Sequence, residues 1–133
     1  MASPVVHFQL CAEDVDAMSA FYRNVFGWRI VPRTLASVDA GVANPYPYIE
    51  SEDGGIAGGI SSRIPEKGGA VLVVEVDDIV ATMERVVRLG GRKRFPEEGP
   101  ERMALTGDNG TDTPFEFEEF EDLEGNLVGI IQR

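Results

Sequence analysis

Two apolar runs, Val5 to Cys11 and Val71 to Val76, are each followed by an aspartate and then by apolar residues spaced three and four apart. A strand, a capped helix start and an amphipathic helix read in that order. In the first copy Asp14 precedes a pattern of Val15, Met18, Phe21, Tyr22, Val25 and Phe26, which Gly27 ends. In the second, Asp77-Asp78 precedes Ile79, Met83, Val86, Val87 and Leu89, and Gly90-Gly91 ends it. Glycine at such a position suits the left-handed turn that closes a helix. Trp28 to Val31 predicts a strand closed by Pro32. Between Thr34 and Gly59, where Gly, Pro, Ser and Asp are frequent, the pattern supports only two short strands, Tyr46 to Ile49 and about Ile56 to Ser61. The remaining strands are expected at about Gly91 to Phe95, Ala104 to Thr106, Phe115 to Phe120 and Leu127 to Gln132.

The two copies align without a gap over their first strand and helix. Val71 answers His7, Asp78 answers Asp14, Ala81 answers Ala17 and Gly91 answers Gly27, each 64 positions on. One supersecondary unit is used twice. The expected architecture is α+β, with two tandem βαβββ modules forming a curved mixed sheet around a shared cleft. Module one covers about residues 5–64, a breaker-rich linker about 63–69 and module two about 70–133, together one domain over 1–133. Each module alone is too small to be stable, so function is expected where the two face each other.

Composition narrows the classes of function. A chain of 133 residues can bury about two thirds of the surface it exposes when unfolded, without metal or disulfide staples. The single Cys11 rules out an intrachain disulfide, and the first residues carry no secretory pattern, so the cytoplasm is the expected location. No apolar stretch approaches the ~20 residues needed to cross a bilayer. A formal charge of −11 argues against a nucleic-acid partner and would concentrate cations near the surface.

Strand alternation puts His7, Gln9 and Cys11 on one face of the first strand, and Val71, Val73 and Glu75 on the matching face of its repeat. His7 is either a functional group of an open cleft, able to donate and accept hydrogen bonds, or a satisfied wall residue. Tyr46 and Tyr48, flanking Pro47, are candidates for stacking on a flat or cationic ligand, and so is Trp28 unless it belongs to the strand core. The run from Asp53 to Gly59 lacks the Lys and Ser/Thr of a phosphate loop and leads into a strand. Its glycines are expected to leave a flat surface with room for a ligand. From Phe115 to Asp122, Phe115 and Phe117 fall on one face and Glu116 and Glu118 on the other. Cys11 has no second histidine to activate it and reads as a small apolar side chain.

The stretches V-H-F-Q-L-C-A-E-D-V-D-A-M-S-A-F-Y-R-N-V-F-G-W, G-G-I-A-G-G-I, V-V-E-V-D-D-I and F-E-D-L-E-G-N-L-V-G-I span nearly the whole chain. In this order they resemble the vicinal oxygen chelate superfamily, which includes glyoxalase I, bleomycin-resistance proteins and extradiol dioxygenases. The resemblance implies that metal-using members draw two ligands from each module, one on its first strand and one on its last. Those positions here are His7 and Val71, and about Gly59 and Gly129, of which only His7 carries a donor. A catalytic divalent ion needs about three protein ligands, so no metal or other cofactor is expected. A substitute set of His7, Glu75 and one of Glu116, Glu118 or Glu119 is impeded because Glu75 answers Cys11, at the far end of its strand from His7.

The expectation is therefore a metal-independent protein that binds a small organic, and on its acidity a cationic, molecule in the manner of bleomycin-resistance proteins. Its ligand-binding candidates are His7, Gln9, Trp28, Tyr46, Tyr48, Gly59, Val71, Val73, Glu75 and Gly129. Two alternatives stand beside it: a metal-dependent lyase, isomerase or dioxygenase with non-standard ligands, and an accessory interaction domain. Specificity would depend on the segments around 34–48 and 95–112. The resemblance also implies a homodimer, whether the modules pair within one chain or between two.

Overall fold

The computed structural model describes residues 2–52, 54–62, 69–107 and 112–133. The expected linker falls almost wholly outside them. In chain order the elements are β1 (Val5–Cys11), α1 (Val15–Phe26), β2 (Ile30–Val31), β3 (Thr34–Ser37), β4 (Val42–Pro45), β5 (Tyr48–Ile49) and β6 (Ala57–Ser61). The second half contains β7 (Ala70–Glu75), α2 (Ile79–Arg88), β8 (Arg92–Lys93), β9 (Glu101–Thr106), β10 (Asp112–Glu121) and β11 (Leu127–Gln132). The fold is α+β, as the sequence pattern indicated.

Both helices start on the aspartates read from the sequence. The Asp14 carboxylate accepts from the Ala17 N–H at 2.9 Å, and the Asp78 carboxylate accepts from the Ala81 N–H at 3.0 Å. Each satisfies one of the amides that a helix N-terminus leaves without a partner. Gly27 closes α1 with φ 68°, and its N–H donates to the Arg23 carbonyl. Asp14→Ala is expected to cost about 1 kcal/mol, read as the shift in urea midpoint at constant slope.

One continuous sheet runs in the order β2-β5-β6-β1-β7-β11-β10-β9-β3-β4, with β8 pairing onto β10. Its centre is the antiparallel pair β1 and β7, where His7 lies opposite Val73, Phe8 opposite Leu72 and Gln9 opposite Val71. This register has the same 64-residue symmetry as the sequence alignment. Moving 64 positions along the chain carries Phe8 onto its own partner Leu72, and exchanges the His7–Val73 pair with the Gln9–Val71 pair. A local two-fold axis therefore passes through Phe8 and Leu72. In each module the last strand lies parallel to the first, Gln9 beside Gly59 and Val73 beside Gly129.

Alternation divides the sheet into two faces. Phe8, Leu10, Ile49 and Ile60 pack with Val15, Met18 and Tyr22 of α1, while Val74, Ile130 and Phe120 pack with Ile79, Met83 and Val86 of α2. The opposite face carries His7, Gln9, Val73, Phe117 and Ile131 and is concave.

The segment from 34 to 45 departs from the expected single stretch of irregular chain. Residues 30–49 form one long bent hairpin. Its base, β2 and β5, edges the first module, and its outer half, β3 and β4, crosses to the far end of the sheet. There Leu35 lies opposite Leu105 and Ala36 opposite Ala104 of β9. The tip is fastened by Arg102, whose side chain donates to Asp39 at 2.6 and 2.9 Å. The Val38 N–H donates to the Arg102 carbonyl at 2.8 Å. One hairpin thus belongs to both ends of the sheet and closes it around the concave face. β9 and β10 also begin earlier than the pattern showed, at Glu101 and Asp112.

Candidate functional site

The concavity holds a half-open cavity of about 420 Å³. Volumes of this order suit drug-sized molecules. Its floor comes from β1 and β7 through Val6, His7, Gln9 and Val73. One wall is the hairpin, with Leu35, Ser37, Val42 and Asn44; the other is Met103, Leu105, Phe115, Phe117 and Ile131.

At the floor, His7 Nε2 and the Tyr46 hydroxyl are 2.7 Å apart. The Tyr46 and Tyr48 rings each lie 6.0 Å from the imidazole, inclined at 25° to it. Burial pushes the His7 pKa down to about 4, because desolvation penalises the charged ring. Near neutral pH the imidazole is therefore uncharged, with one donor and one acceptor nitrogen, and Nε2 is already engaged.

Among the described residues, two charged side chains line the cavity. Arg133 donates to both oxygens of Glu75, at 2.8 and 2.9 Å, and this hydrogen bonding holds the Glu75 carboxyl below its usual range. Glu101 accepts a hydrogen bond from the Ser37 hydroxyl at 2.7 Å. It stands on β9 directly opposite Phe117 of β10.

Of the residues singled out from the sequence, His7, Gln9, Tyr46, Tyr48 and Val73 converge on the cavity. The others lie elsewhere. Trp28 is stacked on Tyr22 at 5.1 Å and packs with Phe8 and Phe26 beneath α1, on the opposite face of the sheet. Val71 is fully buried opposite Gln9. Glu75 acts one step away, through Arg133. The space expected above Gly59 is taken: a β-carbon there would fall within the Tyr46 ring, and one on Gly129 would approach Phe117 to 2.9 Å. These glycines make room for the protein's own aromatic rings.

The donor set for a divalent ion does not assemble. Among the described residues no three His, Cys, Asp or Glu come together as metal ligands. The substitute carboxylates are drawn apart, Glu75 to Arg133, Glu118 to Lys93 at 3.3 Å and Glu119 to Arg94 at 2.9 Å, while Glu116 lies opposite Arg102.

The sequence reading places specificity in the segments around 34–48 and 95–112 but, beyond Tyr46 and Tyr48, does not single out their residues, above all Leu35, Ser37, Asn44, Glu101, Met103 and Leu105. For the last three a signal existed: Glu101, Met103 and Leu105 alternate onto one face once β9 is extended to Glu101.

Residues 6–128 match the glyoxalase-like domain family. A glyoxylase-like domain-containing protein of Didymella fabae is 30% identical over 129 residues, covering 94% of this chain and 90% of its own. Among solved structures, a hypothetical protein from Bacillus halodurans C-125 superposes with a TM-score of 0.65 at 13% identity, over 100% of this chain and 96% of the other. Methylmalonyl-CoA epimerase from Mycobacterium tuberculosis does so with a TM-score of 0.63 at 16% identity, over 96% and 86%. At such identities the likeness to these two structures is one of fold, the vicinal oxygen chelate fold.

Proposed function

The chain belongs to the glyoxalase-like domain family, and on that premise we propose that its cavity holds a small organic molecule without a resident metal ion. The observation that carries this reading is the state of the ligand positions. His7 gives Nε2 to the Tyr46 hydroxyl, and the two last-strand positions are glycines covered by Tyr46 and Phe117. What remains is a largely apolar, half-open space with a few fixed polar groups, the usual makeup of a binding pocket.

Apolar burial supplies most of the affinity. A ligand covering about 200 Å² of apolar surface gains roughly 5 kcal/mol, against which lost translational freedom and ordering cost several. Hydrogen bonds with His7, Gln9 and Asn44 then select orientation. The hairpin shields one side of the bound molecule from water, which suits sequestration of an antibiotic or similar compound of drug size.

The test is elemental analysis of protein purified without chelators, together with melting in added zinc, nickel, iron and manganese. The expected result is less than about one ion per ten chains and no rise in Tm. A site filled at a hundred times its Kd would add about 2.7 kcal/mol, enough to move Tm by roughly 8 °C. Stoichiometric metal would overturn the reading in favour of a metal-dependent enzyme.

A further inference from the structure

We propose that Glu101 is the charge selector of the cavity, and that the ligand it admits carries a cationic group, an ammonium or guanidinium on an apolar body. This inference rests on the ligand-binding reading above. It starts from the charges that line the cavity. His7 is neutral, and Arg133 is matched by the paired oxygens of Glu75. The Glu101 carboxylate takes its hydrogen bond from Ser37, a neutral hydroxyl.

Among the described residues, the neighbouring cations are committed to other acids. Arg102, next in sequence, points to the other face and binds Asp39. Lys93 and Arg94 bind Glu118 and Glu119. Glu101 thus presents a negative charge in a largely apolar cavity, where an opposite charge on the ligand meets weaker screening than in water.

The neighbour across the ladder points to the same chemistry. Phe117 is the register partner of Glu101, and both line the cavity. A carboxylate beside an aromatic face offers a cation two favourable partners, the ion pair and the ring. A smaller space of about 250 Å³ also borders Glu101 and Phe117, leaving room for a partly hydrated head group. Ser37 fixes one carboxylate oxygen, and a carboxylate can accept several further bonds.

The experiment compares one skeleton with three head groups: 4-phenylbutylamine, 4-phenylbutanol and 4-phenylbutanoate, titrated calorimetrically at pH 7.5. The amine should bind about tenfold or more tightly than the alcohol, and the carboxylate most weakly. In Glu101→Gln the amine should fall to within about twofold of the alcohol measured on the same variant. Glu101→Asp should keep part of the preference. The proposal is overturned if the amine gains nothing over the alcohol in the unaltered protein, or if its advantage survives Glu101→Gln. Binding of the alcohol without a preference for the amine removes only the role of Glu101; binding of none of the three removes the cavity reading as well. Should Glu101→Gln fail to fold, the order of the three compounds on the unaltered protein, and its loss in 0.5 M salt, decides the matter.

Discussion

Gly59→Ala is expected to lower the unfolding free energy by about 3 kcal/mol, near the top of what overpacking by one methyl costs, and Tm by roughly 10 °C. The added β-carbon would overlap the Tyr46 ring itself, so the whole ring must leave its place at the cavity floor. Displacing the ring also breaks its hydroxyl bond to His7. Both effects act on the cavity floor, so affinity for any ligand should drop with stability. Gly129→Ala is the control. Its β-carbon would meet the edge of Phe117 at 2.9 Å, a ring that borders the cavity and can tilt toward it, for a cost of about 1 kcal/mol. Equal losses for the two substitutions, measured by urea unfolding, would refute this account of Gly59.

His7 should make the protein sensitive to acid. In the unfolded chain its imidazole takes up a proton near pH 6.5, whereas in the folded protein burial delays this to about 4. Between those values the unfolded state binds more protons, so stability falls as pH drops from about 6.5 to about 4. Above 6.5 both states are neutral and the group contributes no slope. The full difference amounts to roughly 3 kcal/mol, of which about 2.5 kcal/mol is lost by pH 4.5. Carboxylates titrate in the same range, so the measurement is the comparison of the unaltered protein with His7→Gln from pH 7.5 to 4.5. The gap between their stabilities should change by that amount. Parallel curves would mean that His7 titrates alike in both states.

The repeat was the most legible feature of the chain, because strand register obeys it: the offset that links Val71 to His7 also places the two-fold axis at Phe8 and Leu72. Both helices were legible from their aspartate caps and apolar spacing, which are local signals. The hairpin was not. Thr34–Ser37 and Val42–Pro45 contain few β-branched or aromatic residues and show no clean alternation. β3 becomes a strand by pairing with β9, about seventy residues away, a contact that no local pattern encodes, and β4 follows by pairing with β3. Leu35, Ser37 and Asn44 were hidden for the same reason, whereas Glu101 was missed because the pattern starts β9 too late. The glycine-rich run correctly indicated a flat surface at Gly58 and Gly59, and the structure adds its occupants: Phe8 lies on Gly58 from the helix side and Tyr46 on Gly59 from the cavity side. Two consecutive glycines let one strand be gripped by aromatic rings on both faces.

The way the bent hairpin ends bears on colloidal behaviour. The sheet finishes at one end in the two-residue β2, followed by Pro32, and at the other in β4, whose last residue is Pro45. Proline has no amide hydrogen to offer an incoming strand, and a two-residue rim gives a neighbour little to template on. Together with the repulsion among chains that each carry a formal charge of −11, these terminations keep copies from adding rim to rim into fibrils.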